Sequence, residues 1–334
     1  METKNNDVFL SVKDLTVEYV TTEETVHAVN HVSFTLRKGR TLGLVGETGA
    51  GKTSIAKAIL RILPVPPAVV PSGEILLNGR DLMQLSEAEM CKVRGDQITM
   101  IFQDPMTALN PVIPVGKQIE EALFLHNTDG LPSSALGSRV DEILGMVGIA
   151  PERKKEYPHQ FSGGMKQRVV IAMALACTPE LLIADEPTTA LDVTIQAQVL
   201  GMMAEFKQKL DMSMIMITHD LGIVAKTCDR VAVLYSGQIV ETGTFEDFFV
   251  GQKHHPYTDG LFGSIPSLEG EETRLHPIEG ELPDPTALPE GCAFHPRCPH
   301  CTERCRTAQP PEFKRGTHMV RCILFEKEEG YREQ

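Results

Sequence analysis

The stretch that decides the fold reads Gly46-Glu47-Thr48-Gly49-Ala50-Gly51-Lys52-Thr53, and it follows the apolar run Thr41 to Val45 directly. It matches G-x-x-x-x-G-K-S/T, the P-loop pattern between a strand and a helix. Its glycines let the backbone fold around phosphate oxygens, and the following helix adds the positive end of its dipole. A glycine-rich turn without a ligand is the alternative. The strand before the pattern and the helical segment Ser54 to Leu63 after it favour a nucleotide site.

The polar groups of the P-loop each have a predicted task. Lys52 reaches the β- and γ-phosphates of a nucleoside triphosphate, and the Thr53 hydroxyl ligates Mg²⁺. The other positions of the loop act mainly through their backbone N–H groups. The predicted nucleotide-binding residues of this stretch are Gly46, Glu47, Thr48, Gly49, Ala50, Gly51, Lys52, Thr53 and Ser54.

Two further apolar runs end in polar residues. The run that begins at Leu181 ends in the adjacent carboxylates Asp185 and Glu186, as in a buried strand that delivers acids to the carboxyl edge of an open sheet. His219 follows the run Met212 to Ile217 and is therefore predicted to lie at the end of another strand. Both edges are places where α/β sheets bind ligands.

A second anion-binding helix terminus is predicted at Ser162-Gly163-Gly164. A potential N-cap serine and two glycines there precede the helical stretch Met165 to Cys177. One triphosphate needs only one such cradle, so this terminus has no obvious ligand within its own chain.

The order of these motifs resembles that of the ATPase subunit of an ABC transporter. The motifs are the P-loop, Gln103, the Ser162 segment, Asp185-Glu186, Ala190-Leu191-Asp192 and His219. The resemblance covers about residues 7 to 250 and implies an α/β fold, a P-loop NTPase cassette. Such a cassette has a RecA-like parallel-sheet core, an antiparallel β subdomain and a helical subdomain, which is expected at about 104–160. From the residues themselves, helical spacing predicts a helix at Val115 to Leu125, and the prolines of residues 64–72 predict a loop. The implied activity is ATP hydrolysis coupled to transport.

Hydrolysis of a γ-phosphate needs neutralised charge and an oriented water. Glu186 is the candidate to polarise that water, since a second carboxylate near the metal would otherwise only add repulsion. The resemblance implies that Gln103 ligates Mg²⁺ and that His219 contacts the γ-phosphate. The predicted catalytic residues are Lys52, Gln103, Glu186 and His219. The predicted Mg²⁺ ligands are Thr53, Gln103 and Asp185.

Other roles also follow from the resemblance alone. Tyr19 would stack on the adenine, although an ordinary core tyrosine is the alternative. The segment Ser162, Gly163, Gly164 and Met165 would close on ATP held by the opposite subunit of a head-to-tail dimer, with Asp192 at the dimer seam. Phe161 and Met165 depart from the residues common in relatives, but Ser162 and the glycine pair are retained.

The tail beyond the cassette has a different composition. Residues 251–290 are predicted to be an extended connector, since Leu268 to Glu290 is acidic and proline-rich. A cysteine-rich, metal-binding module follows at 291–326. Without a secretory signal, metal is favoured over disulfides, and both zinc and an iron–sulfur cluster need about four such ligands.

The tail resembles that of oligopeptide, dipeptide and nickel importer ATPases. The matching segments include His255-Pro256-Tyr257-Thr258 and Gly291-Cys292-Ala293-Phe294-His295-Pro296-Arg297-Cys298. That resemblance implies a 4Fe–4S cluster, with Zn²⁺ as the alternative, and leaves Cys301 as an additional cysteine. The implied cluster ligands are Cys292, Cys298, Cys305 and Cys322.

Charge and hydropathy restrict the function classes. The formal net charge of −13 and the pI of about 5.3 argue against nonspecific binding to nucleic acid. No run of 18 apolar residues is present, so membrane association is expected to come through a protein partner, at the cytoplasmic face of the membrane.

The resemblance implies a set of partners and leaves alternatives open. The partners are a homologous second ATPase subunit or a second copy of the chain, two transmembrane permease subunits and an extracytoplasmic solute-binding protein. Peptide import is the expected function, and nickel or other small-solute import is the alternative. A DNA-associated ATPase with a zinc module is disfavoured because the cassette has no large insertion, and export is disfavoured by the importer-like tail.

Overall fold

The computed structural model describes residues 8–127, 130–189, 191–251, 253–264 and 278–334. The chain divides into two compact units. The first comprises the described residues within Met1–Leu36, Thr41–Met83 and Ile217–Gln334, and the second those within Arg37–Arg40 and Gln84–Met216.

The first unit contains the P-loop and the whole C-terminal tail. Its strands are β1 (Val8–Val20), β2 (Thr25–Arg37), β3 (Thr41–Val45), β4 (Ala68–Leu77), β5 (Arg80–Asp81), β9 (Arg230–Tyr235), β10 (Gln238–Thr244), β11 (Phe313–Arg315), β12 (His318–Val320) and β13 (Arg332–Glu333). Its helices are α1 (Lys52–Ile59), α8 (Leu221–Thr227), α9 (Phe245–Phe249), α10 (Pro256–Gly263) and α11 (Glu303–Thr307). Short 3-10 helices occupy Leu82–Gln84 and Ile323–Phe325.

Two sheets organise this unit. An antiparallel sheet has the order β2-β1-β4-β5. Leu10, Leu15 and Val17 of β1 are all buried, and the register with β4 shifts between Lys13 and Thr16, so the buried face changes along the strand. In the other sheet, the strands of this unit follow the order β13-β11-β12-β10-β9-β3. Strand β3 is parallel to β9 and is buried throughout, so the P-loop begins at the end of a rigid core strand.

The second unit is mainly helical. Its elements are α2 (Glu87–Val93), β6 (Ile98–Ile101), α3 (Pro105–Ala108), α4 (Val115–Leu125), α5 (Ser133–Met146), α6 (Gly163–Leu175), β7 (Leu181–Asp185) and α7 (Val193–Lys209), with 3-10 helices at Pro151–Lys155 and Pro158–Gln160. Strands β6 and β7 are parallel. Strand β8 (Ser213–Thr218) follows α7. The predicted helix Val115 to Leu125 and the predicted strand Thr41 to Val45 have the observed bounds.

Two local predictions were wrong in their bounds. Residues 64–72 were expected to form a loop, but β4 already begins at Ala68, because Ala68 and Val69 pair with Tyr19 and Glu18 of β1. Pro71 is tolerated because the register shifts between the pairs Glu18–Val69 and Thr16–Ser72, which is a bulge position. Helix α1 ends at Ile59 rather than at Leu63.

The predicted connector, residues 251–290, is not extended throughout. Helix α10 forms within it, with Pro256 at the first helical position and the His255 side chain accepting a hydrogen bond from the Tyr257 N–H. Residues 265–277 lie outside the described residues, and 278–290 form neither helix nor strand. The domain boundaries drawn from the sequence stay predictions.

A buried ionic cluster attaches the C-terminal strands to β10. Nδ1 of His254 and Nε2 of His318 lie 2.9 and 2.8 Å from the same oxygen, Oε1, of Glu241. The other oxygen accepts a hydrogen bond from the His255 N–H at 2.8 Å. Glu241 is fully buried, and β12 pairs with β10 through this residue. Three separate chain segments therefore meet at one carboxylate.

Burial and pairing act in opposite directions on the pKa values of this cluster. Burial alone would raise the pKa of Glu241, but the hydrogen bonds from His254 and His318 lower it to about 2. Burial alone would lower the pKa of His254, but Glu241 raises it above its ordinary value. The Glu241 contribution to stability is therefore complete above its ordinary pKa of 4.5 and is lost as the pH falls towards 2. The His254 contribution is complete below 6.5 and is lost as the pH rises through its raised pKa.

We therefore expect Glu241→Gln to lower the free energy of unfolding by about 3–5 kcal/mol at pH 5.5, because it leaves a buried cation without its counterion. The loss should be smaller at pH 8.5, because the contribution of the His254 cation decreases as the pH rises. Urea unfolding at the two pH values measures both effects. The matched control is His31→Gln, whose ion pair with Asp14 is exposed and should matter little at either pH. An equal loss at both pH values for Glu241→Gln would contradict the ionic account.

Candidate functional site

The P-loop wraps closely against its neighbours. Gly46 and Gly51 have positive φ angles of 158° and 99°, and a Cβ at either position would lie 2.3 Å from a backbone oxygen, that of Leu234 or of Ala28. Only glycine fits both the conformation and the space at these two positions. Helix α1 begins directly after Gly51, so its N-terminal N–H groups belong to the loop.

The Lys52 ammonium is buried within the loop. It donates hydrogen bonds to the carbonyl oxygens of Gly46 at 2.7 Å and of Glu47 at 2.9 Å. Both acceptors are neutral carbonyl oxygens of the loop itself, so these two contacts hold the ammonium inside the turn that would surround a phosphate. This arrangement suits a residue that binds phosphate as a point charge.

Tyr19 lies near the start of the P-loop helix. Its hydroxyl is 3.1 Å from Oγ of Ser54, and its side chain is partly exposed. The structure thus brings together two residues predicted to bind nucleotide. An aromatic ring at this position can present a face to a base, and the role of Tyr19 in stacking stays a prediction.

Glu47 has contacts that sequence reasoning missed. Its backbone N–H donates to the hydroxyl of Tyr257 at 2.9 Å, and its carboxylate accepts two hydrogen bonds from the guanidinium of Arg297. Both partners come from the C-terminal tail, more than two hundred positions along the chain. No local pattern around the P-loop could have indicated them.

The paired acids lie at the end of β7 in the second unit. Asp185 and Glu186 are buried, and Glu186 has a positive φ of 46°, which is uncommon for a residue with a side chain. One carboxylate oxygen of Glu186 accepts hydrogen bonds from the Gln103 amide at 3.1 Å and from the Thr189 hydroxyl at 2.9 Å. Gln103 and Glu186 were both predicted site residues. Thr189 was missed, because a threonine three residues after an acid is too common to stand out.

The hydrogen bond between Gln103 and Glu186 shows which atom of the Gln103 amide faces the carboxylate. The nitrogen donates to Glu186, which leaves the amide oxygen as the atom that can ligate a metal. An amide oxygen of this kind and the carboxylate of Asp185, at the end of β7 in the same unit, are hard donors of the type that Mg²⁺ prefers.

Ser162 is the N-cap of α6, as the sequence predicted. Its hydroxyl accepts a hydrogen bond from the Met165 N–H at 3.4 Å, and both Ser162 and Gly163 are exposed. The N-terminus of a helix of 13 residues thus reaches the surface, where it can bind an anion. Asp192 caps α7 in the same way, accepting from the Ile195 N–H at 2.9 Å. Ala190, which precedes it in the predicted motif, lies outside the described residues.

His219 follows β8 directly, as predicted, and is exposed. Asp220 beside it caps α8 by accepting hydrogen bonds from the N–H groups of Gly222 and Ile223. The rigid cap fixes the backbone next to His219, so the imidazole extends from a well-supported turn.

The four predicted cluster cysteines line one cavity in the C-terminal tail. The wall of this cavity includes Cys292, Cys298, Cys305 and Cys322, together with Phe294 and His255. Cys301 is not part of this wall, and its Sγ contacts the carbonyl oxygen of Thr302 at 3.5 Å instead. Burial raises the pKa of the Cys292 thiol to about 11 and that of Cys322 to about 12. Nearby thiols raise both values further, and backbone N–H groups lower them.

Comparisons with known proteins show the family of the chain. A family model described as ABC transporter matches residues 29–189, and one described as oligopeptide/dipeptide transporter, C-terminal region, matches residues 240–305. The chain is similar to the oligopeptide transport ATP-binding protein OppD of Bacillus subtilis, with 52% identity over 320 residues that cover 95% of this chain and 88% of that protein. The dipeptide transport ATP-binding protein DppD of the same organism is 51% identical over 318 residues, covering 94% of each chain.

Solved structures show the same fold. The ATP-binding cassette MJ0796, solved as a dimer in a post-hydrolysis state with ADP and Pi, superposes with a TM-score of 0.64 at 24% identity, covering 71% of this chain and 98% of that one. The protein cbiO1 from Clostridium perfringens, part of the ABC transporter complex cbiONQ, superposes with a TM-score of 0.63 at 29% identity, covering 73% and 91%. The predicted fold class of the cassette is confirmed.

The fold and the P-loop define an ATPase of the ATP-binding cassette class, whose nucleotide is ATP and whose metal is Mg²⁺. More closely, the chain belongs to the ABC transporter ATP-binding proteins that carry the oligopeptide/dipeptide transporter C-terminal region. Within the described part of the chain, none of the helices combines the length and hydropathy that a bilayer crossing needs.

We expect Glu186→Gln to keep ATP binding and to lower the hydrolysis rate by about 10²–10⁴-fold, because the amide keeps an oxygen for Gln103 and Thr189 but has no charge to polarise water. Steady-state hydrolysis and equilibrium ATP binding, measured on the same protein, separate the two effects. Lys52→Ala should lose affinity instead.

Glu205→Gln is the matched control, since Glu205 is exposed on α7 and should change neither quantity. Turnover near that of the unchanged protein in Glu186→Gln would show that another group orients the water.

Proposed function

We propose that the chain is the ATP-hydrolysing subunit of an importer of di- or oligopeptides. The observation that carries this proposal is the similarity to oligopeptide and dipeptide transport ATP-binding proteins over 94–95% of the chain, tail included. The cassette alone would be compatible with any transported solute. The match of residues 240–305 to the oligopeptide/dipeptide transporter C-terminal region adds support from beyond the matched cassette, residues 29–189.

Lys52 and the loop around it are proposed to bind the triphosphate. The ammonium would exchange the carbonyls of Gly46 and Glu47 for β- and γ-phosphate oxygens, and the N–H groups at the start of α1 would add further donors. Thr53, Gln103 and Asp185 are the proposed Mg²⁺ ligands, and the ion neutralises charge on the phosphates when it is bound. Tyr19 is proposed to stack on the adenine.

Glu186 is proposed as the general base, and His219 as the group that contacts the γ-phosphate. The hydrogen bonds from Gln103 and Thr189 hold one oxygen of Glu186 and so orient the other towards a water molecule. The positive φ of Glu186 is consistent with this task, because uncommon backbone conformations concentrate at functional sites. Glu186 would take a proton from the water as it attacks.

The segment from Ser162 to Met165, with Asp192, is proposed to act across a subunit interface. The exposed N-terminus of α6 can bind an anion, and the P-loop already accounts for the one triphosphate expected in this chain. A second cassette could bring the triphosphate bound in its own P-loop to this helix terminus. The proposed partner is a homologous second ATPase subunit, or a second copy of this chain. Two transmembrane permease subunits and an extracytoplasmic solute-binding protein would complete the importer. The chain would then lie at the cytoplasmic face of the membrane.

Import can be tested by reconstituting the chain in proteoliposomes with the permease subunits, the second ATPase and the binding protein encoded beside it. Uptake of labelled di- and oligopeptides should require ATP on the side of the chain and should be lost with Glu186→Gln. Nickel ions and free amino acids are the matched alternative solutes. Uptake of one of these, without any uptake of peptides, would contradict the proposed substrate class.

We also propose that the tail holds a 4Fe–4S cluster through Cys292, Cys298, Cys305 and Cys322. All four cysteines line the same cavity. Four thiolates in one cavity are the ligand set that a 4Fe–4S cluster needs, and Zn²⁺ is the alternative metal for the same set.

A structural role fits such a cluster. Phe313, Val320, Cys322 and Phe325 form only a small apolar core in this part of the chain, and metal–thiolate bonds can supply the stability that a small core lacks. The cluster would link the loop at 292–298, helix α11 and the segment after β12.

We expect anaerobically purified protein to be brown, with iron and acid-labile sulfide in equal amounts. Changing any one of the four cavity cysteines to Ser should lower the iron content, since each change removes a ligand. Cys301→Ser is the matched control within the same segment and should retain the cluster. Iron and sulfide assays with visible absorption measure both results. Stoichiometric zinc without sulfide, or iron lost only with Cys301→Ser, would contradict the assignment.

A further inference from the structure

The contact between Glu47 and Arg297 joins the P-loop to the cysteine-rich tail. The two Nη atoms of Arg297 lie 2.7 and 3.1 Å from the two carboxylate oxygens of Glu47, so the pair is bidentate. The Arg297 side chain is 4% exposed, and that of Glu47 is 31% exposed. The contact is therefore a specific, largely desolvated ion pair rather than a surface one.

Arg297 has no unused donor. Its remaining N–H groups point to the carbonyl oxygens of Glu279 and Ile278 and to the Tyr235 hydroxyl, at 3.0, 3.2 and 3.5 Å. A guanidinium has five N–H groups, and the five contacts use all of them. Lysine could not reproduce this planar set of bonds, because its ammonium is a single point with three donors.

The loop that carries Arg297 is tied to the cysteine cavity. Arg297 directly precedes Cys298, and the Arg297 N–H donates to the Phe294 carbonyl within the same turn. Phe294 packs against Tyr235 and Tyr257, with ring centroids 5.1 and 5.5 Å apart. Tyr257 in turn accepts the Glu47 N–H. The tail thus holds Glu47 both by its side chain and by its backbone.

The charge of Glu47 bears on nucleotide binding. Its carboxylate belongs to a loop that binds a polyanion, and an unpaired negative charge there would repel the phosphates. The Glu47 carbonyl is also one of the two that hold the Lys52 ammonium, so a shift of Glu47 would disturb Lys52 as well. Arg297 opposes both effects, since it neutralises the carboxylate and fixes its position.

We propose that Arg297 is a positioning residue for ATP binding: by neutralising and holding Glu47, it makes the affinity of the P-loop depend on the C-terminal cysteine-rich tail. This inference rests on the proposed role of the P-loop in binding ATP. The C-terminal tail would then influence the affinity for ATP in addition to the motifs of the cassette.

A double-mutant cycle on the full chain tests the proposal, with the dissociation constant for ATP measured by titration calorimetry in EDTA to prevent hydrolysis. Arg297→Met should raise the dissociation constant roughly tenfold, the size expected for one unneutralised like charge beside a polyanion near a protein surface. In the Glu47→Gln background, the same change should raise it by less than about twofold, because no charge is left to neutralise. In hydrolysis assays, Arg297→Met should raise KM for ATP and leave kcat within about twofold.

Arg304→Met is the matched control, since Arg304 lies in the same tail and forms an exposed pair with Glu326. Should Arg297→Met fail to fold, Arg297→Gln takes its place in the cycle, since it also removes the charge and the same losses are expected. Arg297→Lys keeps the charge, so its dissociation constant should stay within about threefold of the unchanged protein in either background.

An affinity of Arg297→Met equal to that of the unchanged protein, or an equal loss in both backgrounds, would overturn the proposal. A loss above threefold for Arg297→Lys would do the same. Lys52→Ala separates this failure from that of the P-loop assignment. If Lys52→Ala still binds ATP normally, the assignment of the nucleotide site is wrong. If Lys52→Ala loses affinity and Arg297→Met does not, the nucleotide site is supported and only the proposed role of Arg297 is contradicted.

Discussion

The structure depends on one electrostatic constraint. The P-loop must present N–H groups and the Lys52 ammonium to a triphosphate, while the negative charge of its own Glu47 is neutralised. Gly46 and Gly51 meet the first part, since only a residue without a side chain fits their backbone angles and their close neighbours. The Lys52 ammonium donates hydrogen bonds to two carbonyl oxygens of the loop, those of Gly46 and Glu47. Glu47, the one acid in the loop, is paired with Arg297. Each of these devices lowers the free-energy cost of bringing phosphate close.

A side chain held by hydrogen bonds also occurs at the motif of the second unit. Glu186 is buried at the end of β7, and two neutral donors hold one of its oxygens. These two hydrogen bonds fix the orientation of the Glu186 carboxylate. The Glu47 carboxylate in the P-loop is held differently, by a bidentate ion pair with Arg297.

Short-range features of this protein were predictable, and long-range ones were not. The strand Thr41 to Val45, the helix Val115 to Leu125 and the N-cap Ser162 follow from apolar periodicity and capping within a few residues. The start of β4 was missed because it depends on pairing with β1, which overrides the local prolines. Thr189, Tyr257 and Arg297 were missed as site residues because they gain their meaning only from spatial neighbours. The pairing of Glu241 with His254 and His318 is of the same kind.

The most direct test of the account is a structure of the Glu186→Gln protein with Mg-ATP and its partner cassette. The account predicts that the Lys52 ammonium leaves the carbonyls of Gly46 and Glu47 for the β- and γ-phosphates, and that the N-terminus of α6 of one cassette contacts the γ-phosphate bound by the other. It also predicts that Arg297 still holds Glu47. ATP bound with Lys52 on its two carbonyls, or with Ser162 far from any nucleotide, would contradict the account.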